Sequence, residues 1–227
     1  MFSSAEVGPA GSKSGRTRAL LRDVALRSFR ERGYDATTIR QIAAEAGVSV
    51  GVTHYHFASK NRLVQELYLD VQERHRSTAL PQLDDVEDLV DRLRVVYRTG
   101  LDELTGFHPH AGEFVAAALS RGSAVNPLAA DSAPARDITE ALFARAVAGA
   151  RHGLPADIAE RLPAALFVVH LLLALYWAHD TSPGQQRTRL LLDRGLGLVR
   201  LVVPLVRLPL VRRPVREMLD IVAEVRS

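Results

Sequence analysis

The run Thr37-Thr38-Ile39-Arg40-Gln41-Ile42-Ala43-Ala44-Glu45-Ala46-Gly47-Val48-Ser49-Val50-Gly51 resumes, three residues on, as Tyr55-His56-Phe57-Ala58-Ser59-Lys60. It reads as two short helices about a tight turn. Thr38 and Gln41 stand three apart, the capping-box spacing in which hydroxyl and amide satisfy each other's free backbone N–H groups. Ile39, Ile42 and Ala43 give the first helix an inward face, and Gly47 supplies a left-handed stop. Ser49 opens a second helix, Val50 to His56. Ser59 caps a further helix with Leu63, Val64, Leu67, Tyr68 and Val71 along one stripe. Two helices of about two turns joined by a glycine-containing turn form a helix-turn-helix unit.

Upstream, Leu20, Leu21, Val24, Ala25, Ser28 and Phe29 recur at helical spacing from Thr17 until Gly33. Residues 1–15 hold three Gly, four Ser and one Pro without an apolar run. They read as a flexible arm with no secretory hydrophobic centre. Downstream the pattern is helical throughout, with breaks at Pro81, Gly106 to Pro109, Gly122 to Pro134, Gly153 to Pro155 and Thr181 to Gly184. Candidate helices cover about 84–105, 110–121, 135–151, 157–179 and 185–203, with one more from Pro214. The expected fold is all-α: a three-helix, homeodomain-like module over 16–62 and a helical body over 63–227.

The chain's 227 residues are 47% hydrophobic and 24% charged, which excludes a mainly disordered or fibrous chain. With no cysteine there is no disulfide framework, thiolate nucleophile or Cys-type zinc site, and an intracellular, cytoplasmic setting is expected. Residues 1–62 carry ten Lys and Arg against five Asp and Glu, whereas residues 63–227 carry 19 against 21. The positive field therefore belongs to the helix-turn-helix end, which suggests a polyanion bound there. Only Lys13 and Lys60 break an otherwise all-Arg set of cations.

In a helix-turn-helix the second helix enters the major groove while flanking groups hold phosphates. The expected outward residues are Ser49, Val50, Thr53, His54 and Tyr55, with Val50 suited to a thymine methyl. Tyr55, His54 and Lys60, with Arg18 and Arg40 and the helix start at Thr38, are expected to meet phosphate.

The segment 37–60, preceded by Phe29 and Glu31-Arg32-Gly33-Tyr34, resembles the DNA-binding domain of the TetR family of bacterial transcriptional repressors. The resemblance covers residues 16 to about 64. It implies a homodimer on a palindromic double-stranded operator, released when a small molecule binds the C-terminal domain. Carried over position by position, Thr38 and Lys60 fall where the family contacts phosphate, and Val50, Gly51, Thr53 and Tyr55 fall on its recognition helix. His54 stands where a phosphate-bonding Tyr is usual, and Val50 where a polar or basic residue is common. Both departures bear on operator sequence.

For such a regulator the effector cavity would be mainly apolar and lie within the C-terminal helices. Candidate polar contacts are His108, His110, His170, Tyr176 and His179, with Phe107, Phe114, Phe167 and Trp177 as walls, and a hydrophobic or aromatic effector is expected. The apolar helices at about 157–179 and 185–203 exceed what a monomer hides easily and are the expected dimer interface. The 17-residue apolar stretch Leu162 to Ala178 falls short of the roughly 20 residues that cross a bilayer, so no membrane partner is expected.

Two other classes fit parts of the sequence. One is a metal- or ligand-binding enzyme using His108 and His110 with Glu113, although a spacing of two does not align both rings on one helical face. The other is an interaction or membrane-surface protein using Arg207, Arg212, Arg213 and Arg216. No nucleophile–base motif or Gly-rich phosphate loop occurs, so no catalytic residue, metal or cofactor is assigned.

Overall fold

The computed structural model describes residues 12–226. Ten α-helices and no strand occur among the described residues: α1 (Lys13–Arg32), α2 (Ile39–Glu45), α3 (Val50–His56), α4 (Lys60–Asp84), α5 (Leu89–Leu104), α6 (Ala111–Leu119), α7 (Ala133–Ala148), α8 (Ala156–Ala178), α9 (Gln186–Val202) and α10 (Pro209–Arg226). The all-α expectation holds.

The short helices begin and end where the chain's capping groups stand. Thr38 Oγ1 accepts from the Gln41 N–H while the Gln41 side chain accepts from the Thr38 N–H, so the capping box is complete. At the other end Gly47 takes φ +67°, its N–H bonding the Ala44 carbonyl while the Val48 N–H bonds that of Ala43. Those two bonds make a full Schellman motif. Ser49 and Ser59 cap α3 and α4 by accepting from Val52 and Arg62.

Several boundaries differ from expectation. α1 starts at Lys13, four residues before Thr17, because Ser12 accepts from the Gly15 N–H and caps it. Of the expected arm, Lys13 to Gly15 are thus helical and residues 1–11 lie outside the described residues. Pro81 does not break α4, since buried Ala79 and Leu83 hold the last turn against the core. α5 starts at Leu89, because Asp88 accepts from the Val90 and Asp91 N–H groups. α10 begins at Pro209, five residues earlier than expected, with Pro214 inside it.

Two cores form along α4. At its start, Leu21, Val24 and Phe29 of α1, Ile42 of α2 and Phe57 pack on Leu63, Val64 and Leu67, and this cluster reaches up to Phe107 and Val125. The second core joins Leu83 of α4 to α5, α7, α8 and α9 through Val96, Tyr97, Leu142, Phe143, Leu173, Trp177 and Leu192. A boundary at residue 62 falls in the first turn of α4, and the helix runs straight across it. Where α4 and α7 both end, the buried guanidinium of Arg92 donates to the carbonyls of Leu83, Val86, Arg145 and Ala146. It satisfies the buried C-terminal carbonyls of α4 and α7 at Leu83 and Ala146.

α8 is 23 residues long, so the 17-residue argument against a span underestimates it: by length and composition alone it could cross a bilayer. Here it packs against α7 and α10 and buries Phe167, His170, Leu173 and Trp177.

Candidate nucleic-acid interface and effector cavity

α3 is anchored by its inward residues and otherwise open. Thr53 is fully buried with its hydroxyl donating to the Ser49 carbonyl, and Phe57 just beyond the helix is buried too. Ser49, Val50, Gly51, Val52, His54 and Tyr55 are exposed, Tyr55 most fully. This corrects the expectation for Thr53, which faces the core and cannot reach a base. Val52 takes its place on the outer surface, a residue the sequence reading passed over. The i, i+4 pair of Thr53 and Phe57 carried that signal, since both must share the buried side of a helix this short.

The flanking residues divide into two kinds. Thr38 and Arg40 are exposed beside α2. Arg18 is half-buried and partnered: its guanidinium donates to the His56 carbonyl at 3.1 Å, pairs with Glu66 and lies 4.4 Å above the Phe57 ring. It ties α1 to the end of α3 and to α4, a supporting role beside the expected phosphate contact, since 39% of the side chain stays exposed. Lys60 Nζ donates to the Tyr34 carbonyl at 3.0 Å and sits 3.8 Å over the Tyr34 ring. Partial burial pulls its pKa down against the opposing pull of Asp35 and Glu113.

Above this module, α6 clasps the turn between α1 and α2. Glu113 Oε2 accepts from the Asp35 N–H at 2.9 Å. Glu113 Oε1 accepts from His110 Nδ1 at 3.1 Å, and His110 Nε2 meets the Glu31 carbonyl at 3.2 Å. Burial would raise the Glu113 pKa, but the bonds from Asp35, His110 and Tyr34 outweigh it and hold the carboxyl below its usual range. Phe114 packs edge-on against both Phe29 and Tyr34. The close approach requires Gly33, whose φ of +81° and ψ of −177° are essentially reserved to glycine. A Cβ there would lie 2.3 Å from Glu113 Oε2.

The other side of α6 faces a cavity of about 440 Å³ between α4, α6, α7 and α8. Phe107, Phe114, Phe167, His170 and Trp177 line it as expected. His108, His110 and Tyr176 do not: the His108 ring bonds the Trp177 carbonyl, His110 belongs to the clasp, and Tyr176 is exposed on the outer side of α8. His179 bonds the Leu175 carbonyl and is also off the cavity. Because His108 and His110 turn to different partners, they do not share a metal position with Glu113; among the described residues no group of three His, Asp or Glu side chains could hold a metal. The polar lining instead comes from Gln72, Asn126, Ser132, Arg136 and Thr139, beside His170 and Tyr68. Scattered over three elements, these had no common sequence pattern.

His170 stacks on His75 at 6.0 Å, and both rings press on Gly100, where a Cβ would come within 3.0 Å of His170 and 3.1 Å of His75. Burial, helped by the neighbouring His75, lowers the His170 pKa to about 3; burial also lowers that of His75. A folded ring with a depressed pKa refuses the proton that the unfolded ring takes at about 6.5. Stability is thus full above pH 6.5 and falls as the pH drops below it, levelling only near pH 3. His170 alone is expected to remove about 2 kcal/mol of unfolding free energy between pH 7 and pH 5. Urea unfolding at both pH values checks this. His170→Gln should flatten the slope, and an unchanged slope would reject the neutral buried ring.

Residues 21–67 match the family model described as bacterial regulatory proteins, tetR family, and residues 92–225 match that of the tetracyclin repressor-like C-terminal domain. Over 90 residues the chain is 37% identical to the HTH-type transcriptional repressor KstR2 of Rhodococcus jostii, covering 40% of this chain and 37% of that protein. Over 77 residues it is 40% identical to the HTH-type transcriptional regulator TtgR of Pseudomonas putida, covering 34% and 36%. The matched stretch thus spans well under half the length of these two curated relatives. The crystal structure of the TetR transcriptional regulator from Nitrosomonas europaea superimposes with a TM-score of 0.59 at 18% identity, covering 81% of this chain and 97% of that one. That likeness concerns the fold.

Proposed function

The chain belongs to the TetR family of bacterial regulatory proteins, and from that premise we propose that it is a ligand-responsive repressor that binds a palindromic operator as a homodimer in the cytoplasm and has no enzymatic role. Residues 16–62 act as the DNA-binding module, and residues 63–227 bind effector and dimerise. The observation that carries this reading is the outer surface of α3, where Ser49, Val50, Gly51, Val52, His54 and Tyr55 face solvent in an N-terminal segment, residues 1–62, with ten Lys and Arg against five Asp and Glu. Val50 and Val52 suit thymine methyls, and His54 and Tyr55 suit base edges or phosphate. Thr38, Arg40 and Lys60 hold phosphates; an ammonium has three donors, and Lys60 spends one on Tyr34. Thr53 supports α3 from within, and Arg18 braces its end from α1.

Release follows from linkage: an effector weakens DNA binding only by its difference in affinity for two dimer shapes. The coupling element is α6, which lines the cavity on one side and grips the α1–α2 turn on the other. Filling the cavity shifts α6, and through Glu113 and Phe114 it tilts the module and changes the spacing of the two α3 helices. Support comes from the shared residue Phe114, which touches cavity, α1 and turn alike. The exposed apolar side chains of α8 and α9, including Leu172, Leu190, Leu198 and Leu201, suit a second copy of the chain.

Titration of the full chain on duplex DNA from upstream of its own coding region tests the reading. Affinity should fall steeply with salt, as phosphate contacts demand. Lys60→Ala should weaken every duplex by roughly tenfold, as loss of one charged contact does, and flatten the salt slope by about one. Val50→Ala should change preference between duplexes, by about 1 kcal/mol at one base pair, the scale of a lost apolar contact. Equal affinity for wild type and Lys60→Ala at all salt concentrations would remove Lys60 from the phosphates.

A further inference from the structure

The cavity's lining is electrically one-sided. Among the described residues that line it, Arg136 carries the only permanent charge, and none is Asp or Glu. A guanidinium stays protonated at any physiological pH. Arg136 is also held in place, since its Nη1 donates to the carbonyls of Pro127 and Ala129 at 3.3 and 3.2 Å. Both carbonyls belong to the loop before α7, which rims the cavity through Asn126, Pro127 and Leu128. The two bonds come from one nitrogen and fix the guanidinium plane. Nε and Nη2 form the other edge of the fork, the edge that takes a carboxylate with two parallel bonds.

One helical turn from Arg136 a hydrogen-bonded line of polar groups begins. Thr139, one helical turn along α7, donates to the Gln72 side chain at 2.8 Å. Gln72 meets the ring of His75 at 3.2 Å, and His75 stacks on His170. Of these, Arg136, Thr139, Gln72 and His170 line the cavity, while the lining from α6 and α8 is otherwise apolar. His170 is neutral, so charge is confined to the Arg136 end.

We propose that the effector is an amphipathic monoanion, an organic carboxylate whose head pairs with Arg136 and whose apolar body fills the space between Phe114, Leu171 and Trp177. The inference rests on the reading of this cavity as the effector site. A cation of the same shape is repelled, and a neutral isostere loses the charge-assisted pair, so the headgroup decides affinity.

Trp177 is the only tryptophan of the chain and lines the cavity, so its emission reports occupancy. The full chain is titrated with dodecanoate, dodecanamide and dodecylammonium, and with the same three heads on adamantane. On at least one of the two bodies the carboxylate should bind at least tenfold more tightly than the amide, with the ammonium weakest. Arg136→Gln should bring that carboxylate to the level of its amide and leave the amide unchanged, and Arg136→Lys should restore part of the preference. Equal binding of all three heads, or a carboxylate preference that survives Arg136→Gln, overturns the anion proposal while leaving the effector cavity intact. If no compound shifts Trp177 emission, the effector cavity and the anion proposal fail together.

Discussion

Leu198→Asp combined with Leu201→Asp is expected to turn the protein into a folded monomer and to lower its affinity for operator DNA by at least a hundredfold. Both side chains stand on α9 and are 67% and 70% exposed, so the carboxylates cost the single chain little. Placed at an interface, four carboxylates brought together from two copies are desolvated without partners and repel one another. Losing the second copy converts a bivalent grip into a single one, and the linked second contact is worth about 10²–10⁴ in affinity. Sedimentation equilibrium and DNA titration of the same preparation read both consequences. A double variant that stays dimeric would place the interface away from α9.

Gly33→Ala is expected to be the most damaging single substitution at the junction between module and body. Its backbone conformation costs any other residue about 1–3 kcal/mol, and the new methyl would stand inside the contact distance of Glu113 and His110. The protein should lose about 3 kcal/mol, which for a chain of this size lowers the melting temperature by roughly 10 °C. Glu113→Ala separates strain from coupling, because it removes the bond to the Asp35 N–H without disturbing the backbone. It should leave the fold and DNA affinity near wild type while shrinking the effector's influence on DNA affinity by about tenfold. Full effector response in Glu113→Ala would assign the coupling to α4 alone.

The helix-turn-helix end of the chain was legible because its signals are local. Thr38 with Gln41, Gly47, Ser49 and Ser59 each act within four residues of themselves, and each stands in the structure where the spacing puts it. Errors there came from side-chain direction. Thr53 looked like a polar surface residue, yet a hydroxyl that bonds its own helix is comfortable inside. Arg18 looked like a free cation, and its partners His56, Phe57 and Glu66 lie 38 to 48 residues along the chain.

The body was legible as helices and poorly legible as a site. Its aromatic walls were expected from the cavity that the family resemblance implies, but Gln72, Asn126, Ser132, Arg136 and Thr139 meet only through the packing of α4 against α7 and the loop before it. Arg92 was invisible for the same reason, since nothing in its neighbourhood announces a guanidinium buried among the ends of two helices. Pro81 misled in the opposite sense, because a proline's missing donor is tolerated where the flanking Ala79 and Leu83 are buried deeply enough.

The central claim is that two copies of α3 read one duplex together, and selection from a pool of random duplexes tests it most directly. The full chain is incubated with the pool, bound DNA is recovered over several rounds, and the enriched sequences are read. Two related half-sites in inverted orientation, with centres about one helical turn or a multiple apart, are the expected result, and enrichment should disappear with the Leu198→Asp, Leu201→Asp double variant. Enrichment of a single unrepeated half-site, or none at all, would contradict it.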